Sequence, residues 1–235
     1  MVKEELIRRS PLRLLERSIH GGLQGGEIGV FAARKGTGKT ACLVHIATDQ
    51  LLQDRHVIHV SFAGRTDHIV TWYEDIFGEI AKRRELEHAM EIHDGAIRNR
   101  MIMNFSQEGV TVHQFLRSIR AIIDDGQFKA DVLVVDGYDF SKGEPETLRA
   151  LKEFAGENGL AVWFSASIHR EDKRVDDQGV PMALSPFIDS IDVLITLTPE
   201  KDHVGLRLLK DHGDYNPEDL HLELDSKTLL IREDQ

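Results

Sequence analysis

Hydrophobic and polar positions follow two different patterns along this chain of 235 residues. In the first two-thirds, short apolar runs are separated by longer segments whose apolar residues recur every three or four positions, as on one face of an amphipathic helix. The clearest such face consists of Ile69, Trp72, Tyr73, Ile76, Phe77 and Ile80. The last third contains only short apolar runs and no helical pattern between them. The pattern therefore predicts alternating strands and helices followed by strands alone.

The short apolar runs predict the strands of one sheet. In the first two-thirds they lie near residues 28–31, 56–62, 101–105, 130–136 and 160–166; in the last third they lie at 192–197, 204–209, 221–224 and 228–231. Alternation of strand and helix favours parallel strands, and consecutive strands favour antiparallel pairing. Asp225-Ser226-Lys227 joins the last two strands as a hairpin. We therefore expect an α/β fold with a central, mostly parallel sheet, flanking helices and C-terminal antiparallel strands.

Turn and cap residues set the expected boundaries. The glycine cluster 21–26 predicts a loop that leads from residues 1–26 into the first strand. Thr111 and Gln114 have the spacing of a capping box, and Pro145 and Gly159 bracket another helix. Residues 83–100 are helical in pattern but more polar, as in an inserted segment. We expect a single domain over residues 1–235, with 1–26 as its lead-in.

Charge and composition restrict the function classes. The net charge is −11, from 29 basic and 40 acidic residues, and such a chain repels nucleic acid unless its cations share one surface. The basic runs 82–84 and 98–100 lie among glutamates, and the polar loop 169–183 has three basic groups against four acidic ones. Nucleic acid is therefore an unlikely partner.

Membrane insertion and disulfides are not expected either. No apolar run approaches the roughly 20 residues that span a bilayer, and the N-terminus lacks the apolar core of a signal peptide. The single cysteine, Cys42, cannot form an internal disulfide and is expected to be buried. These features predict a cytoplasmic protein with no membrane partner.

One motif carries recognisable chemistry, a glycine-rich turn between the first strand and a helical pattern. It comprises Arg34, Lys35, Gly36, Thr37, Gly38, Lys39, Thr40 and Ala41. Successive amides of such a loop can surround phosphate oxygens, and the following helix N-terminus adds its positive dipole end. Lys39 would reach the β- and γ-phosphates, and the Thr40 hydroxyl would ligate Mg²⁺. The alternative is an ordinary surface turn. The strand–loop–helix context favours a P-loop that binds ATP or ADP with Mg²⁺, although Ala33 replaces the usual first glycine.

The order of motifs resembles the RecA superfamily, in particular its KaiC-like and DnaB-helicase-like ATPases. Gly21-Gly22-Leu23 is similar to the family's lead-in, and Asp136 ends a strand similar to its Walker B strand. The resemblance implies that Asp136 holds the hydration shell of the Mg²⁺ beside Thr40. It also implies that Ser167 and His169 form a polar sensor after the next strand. Lys210 and His212 stand where a Lys-x-Arg pair of this family reaches a neighbouring subunit's nucleotide in a ring.

Two departures from the family pattern bear on catalysis. Ala63 and Gly64 occupy the place of the glutamate that polarises the attacking water, and His212 replaces the arginine of the Lys-x-Arg pair. Loss of a positioned base lowers a rate about 10²–10⁴-fold, and loss of an arginine finger about 10³–10⁵-fold. Glu74, Asp75 and Asp139 are left as substitutes for the missing acid.

These features predict a regulatory ATP-binding protein with slow or absent hydrolysis, in which the nucleotide sets conformation or assembly into a homo-oligomer. An unidentified protein partner belongs to this hypothesis. The alternative is an active DNA-dependent ATPase or helicase-like motor. A small-molecule kinase fits less well, because this chain ends in strands and lacks an arginine-rich lid.

Overall fold

A computed structural model describes residues 1–62, 66–169, 174–215 and 218–234. The strands are β1 (Ile28–Arg34), β2 (Val57–Ser61), β3 (Arg100–Asn104), β4 (Val132–Asp136), β5 (Ala161–Ile168), β6 (Val193–Pro199), β7 (His203–Asp211), β8 (Glu218–Asp225) and β9 (Ile231–Glu233). The helices are α1 (Lys3–Arg8), α2 (Leu12–Ser18), α3 (Lys39–Leu52), α4 (Thr66–Arg83), α5 (Ala89–Arg98), α6 (Val112–Asp124) and α7 (Pro145–Asn158), with a 3₁₀ helix at Ser185–Ser190.

The nine strands form one sheet in the order β3-β2-β4-β5-β1-β6-β7-β8-β9. The strands from β3 to β6 pair in parallel, and β7, β8 and β9 add to that sheet as antiparallel strands. The expected α/β class, with a mostly parallel sheet and antiparallel C-terminal strands, is confirmed.

Both faces of the sheet are covered, as the continuous apolar character of its strands requires. One face packs against a layer of helices that includes α3 and α4, through residues such as Val134, Leu43 and Ile76. The other packs against α6, α7 and the 3₁₀ helix, through residues such as Leu133 and Phe187. The carboxyl ends of the parallel strands therefore meet at one edge of a three-layer domain.

Several local predictions are confirmed by this architecture. Thr111 and Gln114 form a reciprocal capping box at the start of α6. Pro145 begins α7, and Gly159 ends it with a φ of 67°. Cys42 is fully buried in the core.

Two segments differ from the sequence predictions. Residues 1–26, expected to be a lead-in loop, contain α1 and α2, whose buried leucines include Leu6 and Leu15. The last strand begins at Ile231 instead of residue 228, because the Asp225 carboxylate accepts hydrogen bonds from the amides of Lys227 and Thr228 and holds a turn there. Among the described residues, no helix combines the length and apolar character needed to cross a membrane.

Candidate nucleotide-binding site

The glycine-rich turn lies between the end of β1 and the start of α3, at the carboxyl edge of the parallel strands. Gly36 and Gly38 have φ angles of 79° and 105°, which L-residues with side chains rarely adopt. A Cβ added at Gly38 would also overlap Leu224 Cδ2, so β8 packs directly against this turn. Arg34 and Lys35 are exposed, whereas Thr37, Lys39 and Ala41 are buried. The backbone conformation is the one in which amides of a Gly-rich turn can face an anion.

The Lys39 side chain folds back over the turn. Its ammonium donates hydrogen bonds to the carbonyl oxygens of Ala33 (3.1 Å) and Arg34 (2.8 Å). Burial lowers the pKa of Lys39, an effect that the nearby Asp136 carboxylate opposes. Lys39 is thus a poorly hydrated cation at the mouth of the turn, which can exchange its carbonyl partners for phosphate oxygens.

Asp136, at the end of β4, connects the turn to β5. Its Oδ2 accepts a hydrogen bond from the Thr40 hydroxyl at 2.9 Å, and its Oδ1 accepts one from the Ser165 hydroxyl at 2.6 Å. Ser165 in turn accepts a hydrogen bond from the Gly137 amide at 2.9 Å. Asp136 is 3% exposed, and its carboxylate is therefore held in one orientation beside Thr40.

The donor set at this point fits Mg²⁺. A hydroxyl and a carboxylate oxygen already lie in hydrogen-bond contact, and hard oxygen ligands of this kind are those that Mg²⁺ prefers. Thr40 and Asp136 would hold the ion, which would supply charge neutralisation for bound phosphates.

The polar sensor expected at Ser167 and His169 occupies the end of β5. Ser167 pairs with Ala33 in the sheet register and is exposed, as is His169. The residue of this strand that hydrogen-bonds Asp136 is instead Ser165. Its role was missed from the sequence, although the register shows it: Phe164 pairs with Val135, so Ser165 stands level with Asp136.

The position of the missing catalytic acid, Ala63, lies outside the described residues. The three substitutes differ in their surroundings. Glu74 pairs with His93 at 2.7 Å on an exposed part of α4, and Asp75 is exposed on the same helix. Asp139 follows β4, but its carboxylate accepts hydrogen bonds from the amide and hydroxyl of Ser141. Of the three, Asp139 follows a strand end at the carboxyl edge, and its carboxylate stabilises the local turn.

Lys210 and His212 are used within the chain, contrary to the expectation that they are free to reach a neighbour. Lys210 is 6% exposed, and its ammonium donates hydrogen bonds to the carbonyls of Ile188 (2.8 Å) and Ile191 (2.5 Å). Burial also lowers its pKa. A contact with another subunit's phosphates would require both bonds to break.

His212 is engaged at both ring nitrogens. Nδ1 lies 2.6 Å from Asp211 and Nε2 lies 3.0 Å from Glu27. Burial lowers the pKa of His212, but the hydrogen bonds to these two carboxylates outweigh it and raise the pKa above its ordinary value. Its positive charge is therefore balanced inside the chain.

Comparison with known proteins gave no matching family model and no matching curated protein. Among the solved structures that resemble this chain is the ATPase domain of a DnaB-family protein. The two superpose with a TM-score of 0.67 at 16% sequence identity, over 94% of this chain and 89% of that one. At this identity the likeness concerns the arrangement of the chain. The protein has a RecA-like α/β fold.

Proposed function

We propose that this protein binds ATP or ADP with Mg²⁺ at the turn between β1 and α3, hydrolyses ATP slowly at most, and uses the bound nucleotide to set its conformation or its assembly. The observation that supports this most directly is the convergence of three groups at one strand edge: the positive-φ turn, the Lys39 ammonium and the hydrogen-bonded pair Thr40–Asp136. Each has a role toward a phosphate or its metal ion.

Replacement of Lys39 tests the nucleotide site. We expect Lys39→Ala to weaken Mg-ATP binding about 100-fold, because charge-assisted hydrogen bonds to phosphate are lost. Titration calorimetry measures the effect, and circular dichroism checks that the fold is retained. Lys129→Ala, which removes an exposed lysine elsewhere, is the matched control. Equal ATP affinity of the two variants would refute the assignment.

Slow hydrolysis is supported by the sequence at the end of β2, where Ala63 and Gly64 provide no acid. We expect a turnover number well below the enzyme median of about 10 s⁻¹. Ala63→Glu should raise it, by up to about 10²–10⁴-fold if the new carboxylate polarises water. A steady-state phosphate-release assay measures both proteins, with Ala63→Gln as the uncharged control.

The alternative function, a DNA-dependent motor, predicts a different result in the same assay. Addition of single-stranded DNA would then stimulate the parent protein to a turnover near or above that median. Fast, DNA-stimulated hydrolysis by the parent would replace the regulatory proposal with the motor. It would also imply that an acid elsewhere in the chain acts as the base, with Asp139→Asn as the first variant to examine.

A further inference from the structure

A second cavity of about 400 Å³ lies between α1, α3, α4 and β9. None of residues 34–41 is among its lining residues, so it is separate from the nucleotide site described above. Cavities that hold small organic ligands begin at about 300 Å³. This one is therefore large enough for a compact molecule.

The walls of the cavity combine an apolar floor with a cationic rim. The floor includes Leu6, Leu52 and Ile80. The rim contains four arginines, namely Arg9, Arg83, Arg84 and Arg232. In a chain with a net charge of −11, four guanidinium groups around one apolar cavity form a local reversal of charge.

Two of these arginines are neutralised by the protein itself. Arg9 pairs with Glu5 at 2.7 Å, and Arg232 pairs with Glu223 at 2.5 Å and Asp225 at 3.1 Å. The acid that lines the cavity, Asp49, is likewise occupied.

Asp49 contacts the Arg13 guanidinium and accepts a hydrogen bond from Gln53 at 2.7 Å. The other two rim arginines are less committed. Arg83 lies 3.8 Å from Glu79, and no hydrogen bond or ion pair joins the Arg84 side chain to any described residue. Arg83 and Arg84 are thus available to an anion.

A buried histidine adds a neutral donor to the wall. His45 is 4% exposed and lines the cavity. Its Nδ1 accepts a hydrogen bond from the Ile231 amide at 2.9 Å, so in the neutral ring the proton is on Nε2. Burial lowers the pKa of His45 to about 4, which keeps the ring neutral at pH 7. No hydrogen bond from Nε2 to a described residue is present.

We propose that this cavity binds a small organic anion that has a flat apolar body and one phosphate or carboxylate group. The apolar body would lie on the floor formed by Leu6, Leu52 and Ile80. The anionic group would lie between Arg83 and Arg84, where a guanidinium can bind two of its oxygens at once. His45 would donate its Nε2–H to a polar atom of the ring. This inference does not depend on the proposed nucleotide function.

Two model ligands test the proposal by calorimetry on the full chain, with Mg-ADP in excess to occupy the P-loop. The probes are 1-naphthyl phosphate and 1-naphthoate, which carry the same ring with the two anionic groups. We expect one saturable site for at least one probe. The better probe identifies the anion class. 1-Naphthol lacks the charge and inorganic phosphate lacks the ring, so each should bind at least about tenfold more weakly.

A pair of matched variants locates the site. We expect Arg84→Gln to weaken the better probe at least about tenfold, because a charge-assisted contact is lost. Arg98→Gln, which alters an exposed arginine of α5 outside the cavity, should bind like the parent. In an amide NMR spectrum, the probe should also shift the Ile231 N–H signal, since that amide is bonded to His45. Absence of saturable binding of both anions, or equal loss in the two variants, would overturn the proposal.

Discussion

Gly38 has two separate requirements, whereas Gly36 has one. Both have a positive φ, but a Cβ at Gly36 would meet no atom within 4 Å, while a Cβ at Gly38 would overlap Leu224 Cδ2. The backbone requirement belongs to the turn itself. The second requirement belongs to the sheet, because β8 brings Leu224 against the turn. The conformation of the candidate phosphate site is therefore linked to the C-terminal strands.

Alanine replacements separate these two requirements. Gly36→Ala should lower the free energy of unfolding by about 1–3 kcal/mol, the typical cost of a side chain at positive φ. Gly38→Ala should lower it further, by about 1–3 kcal/mol more, because its methyl group overpacks Leu224. Urea denaturation measures both.

The double variant Gly38→Ala/Leu224→Ala identifies the steric part. If the contact is correct, its loss of stability is smaller than the sum of the two single losses. Strict additivity, or equal losses for Gly36→Ala and Gly38→Ala, would contradict the contact between β8 and the turn.

At the scale of the element, a β-bulge in β7 determines the position of Lys210. Ile195 pairs with Leu208 and Leu194 pairs with Lys210, so Leu209 is an extra residue in this strand. Leu208 consequently packs on the α3 side of the sheet and Leu209 on the opposite side. Lys210 lies level with Leu194, on the side of the 3₁₀ helix, where it satisfies two carbonyls near the end of that helix.

This arrangement predicts that Lys210 contributes to stability. Lys210→Ala should lower the free energy of unfolding by about 1–3 kcal/mol, because two carbonyl groups lose a charged donor. Lys201→Ala removes an exposed lysine next to the same strand and should have little effect. Thermal or urea denaturation of the two variants measures the difference. Equal stability would indicate that the Lys210 ammonium is available for another partner.

The sequence pattern located most elements because their signals are local. A buried strand needs a short apolar run, a helix needs spacing and caps, and the glycine-rich turn needs its own residues. Elements set by distant contacts were missed. The helix α2 follows a polar N-terminal segment and is held by the burial of Leu12 and Leu15, which no short-range pattern marks strongly. The start of β9 depended on how the Asp225 carboxylate caps its turn.

The candidate site divides in the same way. Lys39 and Thr40 follow from the local motif, and Asp136 follows from the end of a buried strand. Ser165 requires the register between β4 and β5, which the sequence does not contain in readable form. Lys210 and His212 were assigned by resemblance, and the bulge and the carboxylates around them give these side chains other partners.

At the scale of the whole molecule, the charge of −11 opposes both nucleic-acid binding and close approach of identical chains. The basic run at the end of α4 is partly balanced, since Lys82 and Arg83 lie 4.0 and 3.8 Å from Glu79. A neighbour that contacts the nucleotide must therefore use a cation other than Lys210 or His212, or must displace their present partners. Any self-association also works against a net repulsion that salt reduces.

Nucleotide-linked assembly is thus a sharp test of the regulatory part of the proposed function. If bound ATP completes an interface, light scattering at high micromolar protein should show an increase in mass with Mg-ATP, and a smaller increase or none with Mg-ADP or without nucleotide. The Lys39→Ala variant should remain at the nucleotide-free mass, because it cannot hold the ligand. Raising the salt from about 50 to 300 mM should strengthen the assembly, since screening weakens repulsion between chains of equal charge. A monomer under all of these conditions would exclude assembly as the output, and the nucleotide would then act through the conformation of a single chain.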